Sequence, residues 1–463
     1  MGQNVYSKHY IYASYIAAII VLMDLTAVNI ALPTISETFS VHINEVSWIL
    51  LVSMLTASSF ALVAGRLIEV FNQKKIFITS LLGFSVLTFL SFLSPNLQFL
   101  VVIRFFQGFF EATIYVIGPA LIRKLLPSEK QQSSYGIWMM CTGIGISMGP
   151  VIGGFLVSSL GWQYVFLINI PLCLLAVGIL LRSPKIKETG KTHTILDIPG
   201  GIYSFLFLGG LIYALNIGAK KGMGQPDIIF AIIVSIFFLF AFIRKEKKTP
   251  HPVFNLRLFL KQNFLLSNLG FFIYFLVNVG SRFLRPFYFE KGRDFSTDLS
   301  GFLMMVSPLV MIFISPLARI FSHKIRPKYL NIMGTVFLLV SMLMFSSWNN
   351  NTSLNFLIVS MILLGIGMGL YYPTNSYIGM QDLPDKSYGM GSAAMSTSKS
   401  LGKLCGVLFF AVLFSFFQQQ EANQFMPDMK AFQNTFLIAA AISITALIFS
   451  FLVYERNKER TIN

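Results

Sequence analysis

The sequence predicts an all-α, polytopic membrane protein with fourteen spans, and three observations support this prediction. The 463-residue chain is 55% hydrophobic and only 12% charged, whereas a soluble domain carries about 25% charged residues. Its apolar residues form runs of ~20, the length of helix that crosses a bilayer. Its lysines and arginines concentrate in alternate loops between those runs, which is the topology signal of a membrane protein.

The sequence contains fourteen apolar runs that are long enough to span a bilayer. The predicted spans cover residues 10–32, 46–68, 76–94, 97–121, 133–158, 162–181, 197–217, 227–243, 263–288, 299–320, 329–347, 353–373, 389–416 and 432–454. The first run is long enough to span, so we interpret it as a retained helix rather than a cleaved secretory signal.

The distribution of basic residues predicts the orientation. If both termini face the cytoplasm, 25 lysines and arginines fall on the inner side and 5 on the outer side. Positive residues favour cytoplasmic loops. We therefore expect a multi-pass protein with both termini cytoplasmic.

The largest predicted inner loops flank one pair of spans, 197–217 and 227–243. This arrangement indicates two bundles joined by an insert. The predicted divisions are an amino-terminal six-helix bundle over 1–182, a linker with two extra transmembrane helices over 183–262, and a carboxyl-terminal six-helix bundle over 263–463.

Several function classes are disfavoured. The net charge of +16 does not form one basic face, so we expect no nucleic-acid partner. The three cysteines lie in apolar segments and the five histidines are scattered, which predicts neither a disulfide framework nor a metal site. The sequence has no P-loop and no nucleophile paired with a base, so we expect neither an enzyme nor a bound cofactor.

Asp24 lies inside the first span. A charge at mid-bilayer costs about 2.5–3.5 kcal/mol or more, and burial favours the neutral form of a carboxyl group. Asp24 is therefore a candidate proton carrier, with a structural acid hydrogen-bonded to neighbouring helices as the alternative. Asn29, five residues on, is expected to share its cavity and to contact substrate.

Arg104, Gln107 and Glu111 lie on the fourth span. Seven residues separate Arg104 from Glu111, which puts both on one helix face with Gln107 between them. Glu111 is the second deeply placed carboxylate, and an arginine beside an acid favours its charged form. We predict that Arg104 and Glu111 take part in proton coupling and that Gln107 binds substrate. A static ion pair between helices is the alternative.

A glycine-rich stretch dominates the fifth span. Its characteristic positions are Gly136, Gly145, Gly149, Pro150, Gly153 and Gly154. Glycines three and four apart leave a strip without side chains, so a neighbouring helix can approach closely. The proline removes one helix hydrogen bond. The stretch predicts a helix suited to rocking of two halves, with ordinary small-residue packing as the alternative.

The loop between the second and third spans carries Gly65, Arg66, Glu69 and Lys75. An acid at the end of one helix and basic residues opening the next can form a cytoplasmic latch. The positive-inside rule alone also explains the lysine, so both interpretations stay open.

Four cations lie in or near spans of the second half. Arg282 and Arg285 are near the outer end of the ninth span, where snorkelling to headgroups is the alternative to substrate binding. Lys399 and Lys403 are one turn apart in the thirteenth span and are expected to contact substrate, neutralise an acid or bind lipid. The excess of cations raises the possibility of an anionic or zwitterionic cargo.

Together these motifs resemble those of the fourteen-span drug:proton antiporter family 2 of the major facilitator superfamily. The matching positions are Asp24 through Pro33; Gly65, Leu67, Glu69 and Lys75; Arg104, Gln107 and Gly108; Gly136 through Gly154; Trp162, Tyr164, Phe166, Asn169 and Pro171; and Lys399, Leu401, Gly402 and Gly406. The chain departs from the pattern at Val70, Asn72 and Gln163. Glu69 stands for the usual aspartate, Lys399 stands for the usual arginine, and Glu111 replaces a usual small residue.

The resemblance implies the major facilitator fold. It also implies export of amphiphilic compounds coupled to inward proton flow across a bacterial cytoplasmic membrane, with Asp24 and Arg104 in the coupling. The role of Glu111 is inferred from its burial and position alone. Expected partners are small amphiphilic molecules, protons and the lipid bilayer, and we expect a monomer. The alternatives are a dedicated exporter of one anionic or zwitterionic metabolite, lipid or peptide, and a non-transporting membrane sensor or scaffold.

Overall fold

The computed structural model describes residues 2–183, 198–221, 224–248, 256–321, 324–384, 388–418 and 428–454. Within these ranges the regular structure is helical, and fourteen helices are long and apolar enough to cross a membrane. The predicted fold class of an all-α polytopic protein is therefore confirmed. The cytoplasmic placement of both termini stays a prediction.

The long helices are numbered in chain order. They are α1 (Gly2–Thr38), α2 (Trp48–Val70), α3 (Gln73–Phe92), α4 (Leu97–Leu125), α5 (Ser128–Ser159), α6 (Asn169–Leu181), α7 (Ile198–Lys221), α8 (Pro226–Lys248), α9 (Gln262–Phe287), α10 (Thr297–Phe321), α11 (Pro327–Ser346), α12 (Leu354–Met380), α13 (Tyr388–Gln418) and α14 (Met429–Leu452). Each lies where a span was predicted. The helices α1 and α12 extend further than predicted, because helical hydrogen bonding continues where hydropathy falls.

Local sequence signals set several helix ends. Asn72 and Asn96 precede α3 and α4, and each side-chain oxygen accepts a hydrogen bond from the backbone N–H three residues on, at 3.1 and 2.8 Å. Such caps satisfy N–H groups that have no partner inside the helix. After α5, Gly161 adopts a φ of +112°, and its N–H donates to Leu156 O at 3.0 Å. Glycine tolerates this conformation, so α5 ends there.

The chain divides into two compact units, and unit 1 comprises Met1–Lys245 and Arg285–Met305. One apolar core of this unit lies among α1, α3, α4, α5 and α6 and includes Phe84, Ile117 and Trp138. The inserted pair α7 and α8 belongs to this unit, where α7 packs beside α2. The predicted division at 182 and 262 stays a prediction.

Unit 2 comprises Glu246–Leu284 and Val306–Asn463. Within it, α11 packs against α12 and α14. A Cβ atom at Gly334 of α11 would lie 2.9 Å from the backbone nitrogen of Tyr371 on α12. The absence of a side chain there lets the two helices approach backbone to backbone.

Candidate functional site

Asp24 is buried on α1 and is held by two partners from other helices. Its Oδ2 accepts a hydrogen bond from Arg104 Nη1 of α4 at 2.7 Å, and both side chains are fully buried. Its Oδ1 accepts from Asn169 Nδ2 of α6 at 2.9 Å. The carboxylate therefore joins three helices in a low-dielectric interior, where an unpaired charge is strongly disfavoured.

Arg104 extends this network to α3. Its Nη1 also donates to Gln107 Oε1 at 3.1 Å, and Gln107 Nε2 donates to Thr88 Oγ1 of α3 at 3.2 Å. The guanidinium carbon lies 6.0 Å from the centroid of the Phe166 ring, within the range of a cation–π interaction. The planar guanidinium can hold several acceptors at once, which explains why arginine suits this position.

The sequence places Arg104 and Glu111 on one face of α4, but the acidic partner that the structure shows for Arg104 is Asp24. Seven residues of helix span about 10 Å, so a shared face of α4 does not bring the two groups together. The alternative of an ion pair between helices matches the observed contact. Sequence reasoning missed Thr88, because it is one of several hydroxyl residues in the uncharged third span.

Glu111 lies in a separate environment. Its Oε2 accepts a hydrogen bond from Ser53 Oγ of α2 at 2.8 Å, and the residue is 7% exposed. One turn earlier, a Cβ atom at Gly108 would lie 2.7 Å from Ser53 O. The missing side chain at Gly108 therefore allows α4 to approach α2 and brings the serine within reach of the carboxylate.

Asn29 is buried on α1. Five residues of α-helix correspond to about 500° of rotation, so Asn29 leaves α1 about 140° away from Asp24 around the helix. The expectation that the two share a cavity does not follow from this placement. Substrate contact by Asn29 and Gln107 stays a prediction.

Three glycines of the motif pack directly on α1, the helix that carries Asp24. A Cβ atom at Gly145 would lie 2.7 Å from Ile19 O, and one at Gly149 would lie 2.9 Å from Met23 O and would overlap the side chain of Thr26. A Cβ atom at Gly153 would lie 3.0 Å from the Cα of Ala27. Real Cβ atoms need more room than this, so the contact between α1 and α5 depends on these glycines.

The remaining motif positions differ from one another. A Cβ atom at Gly154 would overlap the backbone of Thr297, and one at Gly301 would overlap Pro150 O. Both contacts lie within unit 1, where the 285–305 segment packs on α5. A Cβ atom at Gly136 would meet nothing within 4 Å. The prediction that Gly136 is needed for close packing is therefore wrong, because its position is open.

The 285–305 segment adds polar contacts that sequence reasoning missed. It contains a π-helix at Tyr288–Gly292, a rare form that is frequent at functional sites. Lys291 forms an ion pair with Glu37 at the end of α1, and Glu290 accepts a hydrogen bond from Thr297 Oγ1 at 3.3 Å. The signal in the sequence for these contacts was the adjacent charged pair Glu290 and Lys291 at the end of an apolar span.

The loop between α2 and α3 is described in part. The side chains of Arg66 and Glu69 lie outside the described residues, so the predicted latch stays a prediction. Lys75 is exposed, and a Cβ atom at Gly65 would lie 3.9 Å from Val116, an ordinary contact. Lys74 Nζ instead donates to the carbonyl oxygens of Leu181, at 3.3 Å, and Ser183. A cation is favourable there because carbonyl groups at a helix end carry partial negative charge.

The four cations of the second half are two arginines at the carboxyl-terminal end of α9 and two lysines in α13. Arg285 is 1% exposed, so the alternative that it snorkels to the headgroups is wrong. Arg282 is half-buried and donates to Asn278 Oδ1 at 3.4 Å. Lys399 Nζ lies 4.1 Å from the centroid of the Phe271 ring.

Lys403 repeats the arrangement of Lys399 one turn later. Its Nζ lies 5.6 Å from the centroid of the Phe275 ring. A lysine in a span costs about 2.5–3.5 kcal/mol, and a cation–π contact returns about 0.5–2 kcal/mol. These ring contacts therefore offset part of the cost of placing two lysines in a span.

No three His, Cys, Asp or Glu side chains among the described residues lie together as a metal site would require.

The comparisons with known proteins agree with this geometry. Residues 14–407 match the family model of the Major Facilitator Superfamily. The chain is 27% identical over 447 residues to a riboflavin transporter, RibZ, of Clostridioides difficile, covering 95% of this chain and 96% of that protein. It is 24% identical over 428 residues to a probable multidrug resistance protein, EmrY, of Escherichia coli, covering 91% and 83%. It is 23% identical over 408 residues to a fatty acid resistance protein, FarB, of Neisseria gonorrhoeae, covering 88% and 80%.

The family match extends over most of the chain and includes the helices that carry Asp24, Arg104 and the glycine motif. Relatives that align with most of the chain are named as a transporter and as a probable resistance protein. This chain belongs to the Major Facilitator Superfamily and is a membrane transporter.

Proposed function

We propose that this transporter exports amphiphilic compounds across the bacterial cytoplasmic membrane in exchange for protons that enter. The observation that carries the proposal is the buried Asp24–Arg104 pair, a carboxylate held at 2.7 Å from a guanidinium between membrane helices. The resistance functions named for two relatives support the choice of efflux.

The coupling works through the charge of Asp24. A proton that reaches Asp24 from outside removes its charge and weakens its contact with Arg104, so the contacts among α1, α4 and α6 change with protonation. Because a ligand or proton shifts a conformational equilibrium only through its different affinity for the two states, this change biases alternating access. Each charge moved through 100 mV contributes about 2.3 kcal/mol. Glu111 carries a second proton in this scheme.

Purified protein in proteoliposomes under an imposed pH step tests the proposal. We expect amphiphilic dyes to move against their gradient with matching proton movement, and Asp24→Asn to abolish uphill export while keeping the fold. Glu111→Gln should lower the number of protons exchanged per dye.

The matched control is Asp227→Asn, since Asp227 is an exposed carboxylate at the first turn of α8 and its loss should leave export unchanged. Full uphill export by Asp24→Asn at equal reconstitution would contradict the coupling scheme. An absence of cargo-stimulated proton movement in the wild type would favour a non-transporting role.

The riboflavin transporter among the relatives favours a second candidate, a dedicated exporter of one metabolite. Riboflavin and other planar metabolites should therefore be tested in the same proteoliposome assay as the dyes, as one panel of compounds. Movement of a single compound with no dye transport would select this candidate.

A further inference from the structure

Unit 2 presents rings and cations on one patch, formed by Phe271 and Phe275 of α9, Tyr372 of α12, and Lys399 and Lys403 of α13. We propose that this cation–aromatic patch binds cargo that carries a planar aromatic ring and an anionic group such as a carboxylate or sulfonate. The proposal rests on the proposed export of amphiphiles and names the class of cargo.

Helix packing holds the two lysines in register with the two rings. Lys399 and Lys403 are one turn apart on α13, and Phe271 and Phe275 are one turn apart on α9. Between the lysines, a Cβ atom at Gly402 would lie 3.0 Å from Phe275 Cβ and would overlap the backbone of Phe272. This close approach of α13 to α9 places each ammonium beside a ring.

The described spanning helices of unit 2 bring cations but no acidic side chain to the patch. No Asp or Glu occurs in the described spanning helices of unit 2, which cover 262–284, 306–321, 327–346, 354–380, 388–418 and 429–452. Two lysines one turn apart repel each other, and a bilayer interior offers little screening. An anionic group delivered by the cargo would relieve this repulsion and form charge-assisted hydrogen bonds.

A third cation extends the patch along α9. Arg282 lies seven residues after Phe275, which is two turns along the same face of the helix. The charged side of the patch therefore continues beyond the rings. Cargo with a second anionic group can span from the lysines to Arg282.

The aromatic part of the patch is a ready stacking surface. Phe275 and Tyr372 are half-buried, and their rings stack at 4.8 Å between centroids with 13° between planes. The neighbouring residues Tyr274 and Tyr371 are fully buried and stack at 4.2 Å, which fixes the outer pair. A planar ring of the cargo can extend this stack, and the like charge of the lysines disfavours cationic cargo.

Two naphthalene probes of opposite charge test the proposal in proteoliposomes. Naphthalene-2-sulfonate and trimethyl(1-naphthylmethyl)ammonium keep their charges across the pH range of the assay, and their fluorescence reports uptake after filtration. We expect the Lys399→Gln/Lys403→Gln variant to lose at least tenfold in export of the sulfonate and to keep or increase export of the ammonium compound. The Lys399→Arg/Lys403→Arg variant should recover part of the sulfonate export.

The matched control is Lys324→Gln, which removes one exposed positive charge from the turn between α10 and α11 and should change neither probe. If the double glutamine variant does not reconstitute, Phe275→Leu/Tyr372→Leu should weaken equilibrium binding of the sulfonate to purified protein at least fivefold. Wild-type sulfonate export by the double glutamine variant, or wild-type sulfonate binding by Phe275→Leu/Tyr372→Leu, would overturn the proposal.

The outcomes also separate this proposal from the one on which it rests. Proton-coupled export of the ammonium probe alone by the wild type would keep the proposed function and exclude the anionic cargo class. If the wild type exports neither probe and none of the other compounds tested, the proposed function itself is contradicted.

Discussion

At the scale of single residues, the position of Arg104 decides the character of the site. It contacts Asp24, Gln107 and the Phe166 ring from one side chain, so it positions the carboxylate among three helices. Breaking a buried ion pair by removing one partner costs about 3–5 kcal/mol, whereas removing both charges is often nearly neutral.

This asymmetry gives a prediction for stability. Arg104→Gln should lower the apparent Tm of the detergent-purified protein markedly, because it leaves the Asp24 carboxylate buried without its cation. Adding Asp24→Asn should restore much of the loss, since the second change removes the uncompensated charge.

Thermal unfolding of the wild type, both single variants and the double variant measures the coupling. Additive effects of the two substitutions would contradict an energetic pairing. Exposed Arg326 supplies the control, and Arg326→Gln should leave the Tm unchanged.

The residue scale also shows where sequence reasoning stops. The spacing of Arg104 and Glu111 defined a face of one helix, but the identity of the opposing group depends on which helix packs on that face. Asp24 lies 80 positions earlier in the chain. Burial of both groups was predictable from their positions in apolar spans, whereas their pairing required the packing of α1 against α4.

At the scale of helices, the contact of α5 with α1 depends on missing side chains. Gly145, Gly149 and Gly153 recur at intervals of four residues and face the backbone of α1. Small residues at such a spacing allow close packing in membranes, where apolar burial between helices gives little driving force. The motif was recognisable from sequence, but the open position of Gly136 was not.

Two glycines of the motif supply a matched pair of substitutions. Gly149→Leu should stop export, because its side chain would force α5 away from Met23 and Thr26 on α1. Gly136→Leu lies on the same helix in open space and should retain at least half of wild-type export.

Export rates at equal membrane amounts of protein check this pair. Normal export by Gly149→Leu would refute a requirement for close packing. Loss of export in both variants would show that bulk anywhere on α5 is harmful and that the contact with α1 has no special role.

At the scale of the whole molecule, we predict that the 285–305 segment separates from α1 and α5 during the proposed cycle. That segment closes on them through the Lys291–Glu37 ion pair and the Gly154 and Gly301 backbone contacts within unit 1. Hydropathy located the helices of this region well. It could not reveal these contacts, because they join residues more than 100 positions apart.

A disulfide between these partners tests the separation. In a background in which Cys141, Cys173 and Cys405 are replaced by serine, Glu37→Cys/Lys291→Cys should lose export on oxidation and regain it on reduction. A covalent bond would hold the segment on α1 through the cycle.

Each single-cysteine variant controls for the substitutions and should be insensitive to oxidation. Unimpaired export by the fully oxidised pair would show that this contact persists throughout transport.

The helix α1 contacts both Arg104 and the glycines of α5, and this has a mechanical consequence. A continuous rod of helix from Gly2 to Thr38 presents Asp24 to Arg104 on one side and receives the glycines of α5 on another. Any tilt of that rod against α5 also changes the distance between the two charges. In the proposed cycle, proton binding at Asp24 and movement of α1 against α5 are therefore coupled through one helix.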